Sequence, residues 1–66
     1  MNNVFAKNIR VIRQLRNMTK IELAEKTHLS DTQIGRYEQC TQIPGGLAIM
    51  EIAKALDVPA GELFKE

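Results

Sequence analysis

Few side chains in this sequence could do chemistry, and two of them can be set aside quickly. Cys40 is the only thiol. Nucleophilic attack by it would need a neighbouring base and an oxyanion site, and the sequence supplies neither. Cys40 and the lone His28 fall short of a zinc set, and one cysteine closes no internal disulfide. They read as a loop thiol and a turn residue. What remains is hydrogen bonding. The stretch SDTQIGRYEQ, residues 30–39, has only two apolar side chains, Ile34 and Tyr37. At roughly 100° per residue those two share one side of a helix, while Thr32, Gly35, Arg36 and Gln39 share the other. That second face is either ordinary solvated surface or a face built to be read against a partner.

The elements that must present this face are short helices. Phe5, Ile9 and Ile12 recur at i, i+4 and i+7, one buried stripe. A first helix is therefore expected from a cap at Asn2 or Asn3 to near Asn17. Thr19 and Glu22 make a capping box, opening a second helix from residue 20 to about 27 with Leu23 and Ala24 inward. After a tight connection at His28 and Leu29, Ser30 and Gln33 make a second box. The polar stretch is thus a third helix over about 31–39. Residues 40–46 read as a loop, because Pro44 lacks a donor and Gly45 and Gly46 are flexible. Ile49, Ile52, Ala53 and Leu56 mark a fourth helix over 47–56. Pro59 suits the first turn of a short fifth, from 60 to about 65. Nothing alternates at period two over strand length, so the fold is all-α. Helices two and three, about three residues apart with small Ala24 where backbones would cross, have a helix-turn-helix shape. Small helical domains contain such pairs without binding DNA. Val11 and Leu15 form a second apolar strip on helix one, either peripheral core or a contact surface.

The length supports one domain, 1–66. A chain this size buries only about 60% of its unfolded surface, so good helix packing or a partner subunit must help it. The longest unbroken apolar run, residues 47–50, is far too short to span a membrane. With no apolar signal segment, a reducing, cytoplasmic location is expected. Net charge is only +1, yet it is unevenly spread. Residues 1–36 carry seven lysines and arginines against three acids, a balance of +4, whereas residues 37–66 carry two against five, −3. The front half can face an anionic surface that the rear half would repel. On charge alone, a solvated surface is the simpler account.

Further residues fall into one register over roughly positions 5–64. They are Ile9, Arg10, Ile12 and Arg13; Thr19, Leu23 and Ala24; Ser30, Ile34 and Glu38; Pro44; and Ile49, Ile52, Ala53, Ala55 and Leu56. This arrangement resembles the lambda-repressor-like, Cro/CI-type (XRE) helix-turn-helix family. Its pattern runs I-R-x-L-R, a turn, S/T-Q-x-x-L-A, S-x-x-x-I-x-x-x-E, a proline and L-x-x-I-A-x-A-L. The resemblance implies a compact five-helix lambda-repressor-like domain, with helices two and three as the helix-turn-helix. It implies a sequence-specific regulator of transcription, a repressor, that binds a double-stranded DNA operator as a homodimer.

The same resemblance implies roles for single residues. Thr32, Arg36 and Gln39 would read bases in the major groove, with arginine suited to guanine and the threonine methyl to thymine. Asp31 would either serve the helix dipole or accept from cytosine. Thr19, Lys20, Ser30 and Thr41 would hold phosphates, and Arg13 and Glu38 would pair between helices one and three. Ile43, Val58, Leu63 and Phe64 are the expected dimer seam. No catalytic residue, metal, cofactor or small-molecule ligand is expected. The sequence departs from the family pattern at four places. Lys20 stands for a phosphate-gripping glutamine and can act as a point charge. His28 and Cys40 stand for glycines, where strained or altered backbone is expected, and Gly46 stands for an apolar core residue. A protein-interaction module of the same fold, such as an antitoxin-type or adaptor subunit, is the alternative.

Overall fold

In the computed structural model, which describes residues 4–66, local chemistry accounts for the starts of two of the helices. The cap expected at Asn2 or Asn3 lies outside the described residues. Helix α1, Val4–Leu15, turns Ile9 fully inward. Helix α2, Lys20–Glu25, opens on Thr19, whose hydroxyl accepts from the Glu22 N–H at 3.0 Å while the Glu22 carboxylate accepts from the Thr19 N–H at 2.8 Å. Helix α3, Asp31–Glu38, repeats the device with Ser30 and Gln33 at 3.1 and 3.0 Å. Helix α4, Gly46–Leu56, follows Gly45 with no side-chain cap and begins one residue earlier than expected.

The last element corrects the expectation of five α-helices. Ala60–Phe64 is a 3-10 helix, so the described residues form four α-helices and one 3-10 turn, with no strand. Pro59 has no N–H to give, and its carbonyl accepts the Glu62 N–H at 2.9 Å, an i to i+3 closure. From α1, the Asn8 side-chain amide then donates to the carbonyls of Glu62, Leu63 and Lys65 at 3.3, 3.0 and 2.8 Å. Of these, the Glu62 carbonyl also accepts the Lys65 N–H, while those of Leu63 and Lys65 are answered from across the chain.

Three helices stop in one way. After α1, the Met18 N–H reaches the Arg13 carbonyl and the Asn17 N–H that of Gln14, both at 3.0 Å. After α3, Thr41 reaches Arg36 and Cys40 reaches Tyr37, at 3.0 and 3.2 Å. After α4, Val58 reaches Ala53 and Asp57 reaches Lys54, at 3.0 and 3.1 Å. Each is a Schellman closure. The residue in the left-handed region is Asn17, Cys40 or Asp57, with φ of 56°, 63° and 60°. Glycine fills none of these positions. The backbone expected to depart at Cys40 does so, whereas His28 keeps an ordinary φ. The closures also end α1 at Leu15 and α3 at Glu38, short of the expected limits. Helix α2 stops at Glu25 rather than about 27, as the Thr27 hydroxyl bonds the Ala24 carbonyl at 3.0 Å.

One core joins all the elements: Ile9 from α1, Leu23 from α2, Ile34 and Tyr37 from α3, Ile52, Ala53 and Leu56 from α4, and Leu63 from the 3-10 helix. Leu63 was expected in a dimer seam, and this is a correction. Its side chain is 0% exposed within the single chain and has no surface to offer a partner. The sequence shows it as one apolar residue in a terminal turn, and only the docking of that turn beside α1 and α4 makes it core. Leu15, by contrast, is 77% exposed, which makes its strip on α1 outward surface rather than core.

Candidate nucleic-acid interface

Helices α2 and α3 pack on each other, and α3 also packs on α1. Ile34 and Tyr37 anchor α3 in the core, and this anchoring turns Asp31, Thr32 and Arg36 to solvent. Gln39, just past the helix end, is exposed beside them. The side chains of Asp31, Thr32 and Arg36 make no hydrogen bond or ion pair among the described residues. They are donors and acceptors without an intramolecular task.

Lys20, the first residue of α2, leans over this helix. A β-carbon added to Gly35 would lie 3.9 Å from the Lys20 ammonium. The residue expected to hold phosphate therefore sits directly over the middle of α3. Thr19 and Ser30 hold the two capping boxes, so their hydroxyl oxygens already accept backbone N–H groups. Thr41 donates its hydroxyl to the Arg36 carbonyl at 3.2 Å, tying the turn after α3 to that helix.

Behind the exposed face lies a fork of two hydrogen bonds. Arg13 donates from Nε to Glu38 Oε2 at 2.7 Å and from Nη2 to Glu38 Oε1 at 3.1 Å. Its remaining Nη1 donates to the Met18 carbonyl at 2.8 Å. The two side chains are only 10% and 7% exposed. A desolvated carboxylate met by a planar guanidinium has its lone pairs answered in a fixed plane. The fork thus sets the roll of α3 against α1, and it also holds the linker between α1 and α2.

A second brace comes from a residue that the sequence reading did not single out. Glu51, on α4, accepts the His28 backbone N–H at 2.7 Å and contacts the His28 ring Nδ1 at 2.9 Å, both through Oε1. The hydrogen bond from the imidazole, and after it that from the backbone N–H, hold the Glu51 carboxyl below its ordinary range. No spacing rule reveals a pair 23 residues apart.

Past the end of α3 the surface turns apolar. Phe64 is 52% exposed and stacks on Phe5 with ring centroids 5.3 Å apart. Together with Tyr37, Ile43, Pro44 and Ile49 these rings line a groove of about 320 Å³. Ile43 is 80% exposed, while Val58 is half-buried against the core. Of the expected seam, Ile43 and Phe64 face solvent.

The helix-turn-helix family model matches residues 9–63, most of the chain and the whole of this arrangement. The chain belongs to the helix-turn-helix family. Within that family it is of the lambda-repressor-like, XRE type, and the family match supports a DNA-binding regulator of transcription with double-stranded DNA as its partner. This helix-turn-helix protein is similar to the restriction-modification controller protein C.AhdI from Aeromonas hydrophila, known from a crystal structure. The two superpose with a TM-score of 0.90 at 26% identity, over 92% of each chain. No curated protein matches the helix-turn-helix chain. Among its described residues there is no cluster of His, Cys, Asp and Glu able to hold a metal ion, and no helix is long and apolar enough to cross a membrane.

Proposed function

We propose that this protein is a sequence-specific repressor that binds its operator as a homodimer and carries no catalytic activity. The observation that carries this reading is the outward face of α3. Thr32 and Arg36 are unengaged there, on a helix whose Gly35 lies under the Lys20 ammonium and whose roll is fixed from behind by Arg13 and Glu38. A reading face needs free donors on a rigid support, and surface salt bridges would have consumed them. Arg36, Thr32 and Gln39 read bases, with Asp31 at the helix start available to a cytosine amino group. Lys20 and the backbone near Thr19, Ser30 and Thr41 hold the flanking phosphates.

Size argues for two copies. The domain measures 28 × 21 × 20 Å, whereas half-sites on one face of DNA lie about 34–36 Å apart. One copy cannot present α3 to both. Ile43, Phe64 and the flank of Val58 form the seam. The likeness to a restriction-modification controller supports a regulator in which one small domain does the binding. The exposed groove would also serve an adaptor that neutralises another protein, and salt separates the two readings.

The test is selection of duplexes from a randomised pool, followed by footprinting and affinity measurement over a range of salt. A repressor of this kind enriches a site with a dyad, and its affinity falls steeply as salt rises. Lys20→Ala then lowers the salt slope by about one per subunit without changing base preference. No enrichment, or binding indifferent to salt, rejects the proposal in favour of the adaptor.

A further inference from the structure

The turn between α2 and α3 finds a local acceptor for every backbone N–H but one. The Thr27 N–H bonds the Ala24 carbonyl at 3.0 Å. That of Leu29 bonds the Thr27 hydroxyl at 3.1 Å, and that of Ser30 bonds Gln33 Oε1 at 3.0 Å. Among the N–H groups of residues 27–30, only that of His28 has no acceptor inside the helix-turn-helix, and it is met by Glu51 from α4. An unmet donor in the turn over residues 26–30 can be relieved by rotating the flanking peptides, and that rotation changes the angle between the two helices. We infer that Glu51 is a positioning residue for DNA reading, a latch that fixes α3 against α2 through the His28 peptide.

The latch rests on the DNA-binding reading above and adds to it. Glu51 Oε1 accepts both the peptide N–H and Nδ1, so one oxygen fixes the turn backbone and its side chain together. A carboxylate can only accept, so Nδ1 carries the proton in this contact. Arg13 and Glu38 hold the far end of α3, at Glu38, whereas Glu51 acts just ahead of the near end, at Ser30. With both ends held, the outward residues keep one register toward a groove. Neither Lys26 nor Lys54, which line the same surface as Glu51 and His28, forms an ion pair with Glu51.

The test uses a duplex that the wild-type protein enriches from a random pool, beside a scrambled duplex of equal composition. Glu51→Ala and Glu51→Asp each lose about tenfold in affinity for the enriched duplex, the worth of one good hydrogen bond, with scrambled binding unchanged. Aspartate keeps the charge but falls one methylene short of the His28 N–H. Glu51→Gln keeps an acceptor oxygen at full reach and stays within roughly threefold of wild type. A through-space charge effect would order aspartate above glutamine and would overturn the latch. Hydrogen exchange in the free protein gives a second reading. The His28 amide exchanges faster in the Asp variant than in the Gln variant, and equal rates overturn the latch. If the wild type enriches no duplex, the DNA-reading role itself falls. If it does enrich one and the Ala and Asp variants keep full selectivity, only the role of Glu51 falls.

Discussion

The two sides of this small protein are built by different means. On the reading side, α2 and α3 each start on a reciprocal capping box made by residues three apart. On the side of the apolar groove, α4 follows Gly45 and the 3-10 helix follows Pro59, neither with a side-chain cap. The reading side leaves polar groups exposed, and its helix starts are closed locally. The other side is held by burial of Ile52, Leu56 and Leu63 and by Asn8 reaching across the chain, and it leaves Ile43 and Phe64 exposed. Helices that close their own starts can spend a whole face on something other than the core. Helices that rely on burial have apolar surface left over, and that surface suits a protein rather than DNA.

The largest test of this contrast lies at the fork that joins α3 to α1. Glu38→Ala leaves the Arg13 guanidinium uncompensated in a site with little water, and a loss of about 3 kcal/mol in urea-denaturation stability is expected. Arg13→Ala should cost a similar amount, and the double variant much less than the sum of the two. Strict additivity would mean that the fork does not support α3, and the reading side would then be no better braced than the other.

Next comes Arg36, which should affect recognition and leave stability alone. Loss of a bidentate guanine contact costs about 1–3 kcal/mol of discrimination at one base pair per half-site. Arg36→Ala should keep the wild-type melting curve, since no intramolecular partner is lost. Selection on randomised duplexes checks the base preference. Unchanged preference at every position would transfer reading to Thr32 and Gln39.

Caps give a smaller, sharper test. Ser30→Ala and Thr19→Ala should each cost about 1 kcal/mol, measured by thermal or urea unfolding. Gly45→Ala, at a start without a side-chain cap, should cost less than either. Equal losses at all three would erase the difference between the two sides.

The smallest effect expected is a gain. Cys40 holds a φ of 63° at the end of α3, a region that disfavours residues with a β-carbon. Cys40→Gly relieves this strain but frees the unfolded chain, and the two partly offset. A net stabilisation of about 0.5 kcal/mol is expected. A clear loss would show that the thiol packs usefully against the groove it lines.

Much of this architecture was legible in the residues themselves. The capping boxes at Thr19 and Ser30 could be read because both partners lie within one helical turn, where spacing fixes distance. The division of α3 into a buried pair and an outward face followed from helical period alone. The partnership of Arg13 with Glu38 was legible only through the family resemblance, since no local rule joins α1 to the end of α3.

What the sequence by itself determined, then, is whatever depends on neighbours three or four residues apart: the helix starts, the apolar stripes and the polar face of α3. The tertiary structure alone decided that Leu63 is core, that the last turn is 3-10, that Asn8 closes it and that Glu51 meets His28. Each of these depends on the angle and distance between helices. Packing of side chains from five elements around Ile34 and Ile52 sets those quantities together, and no single stretch of chain contains them.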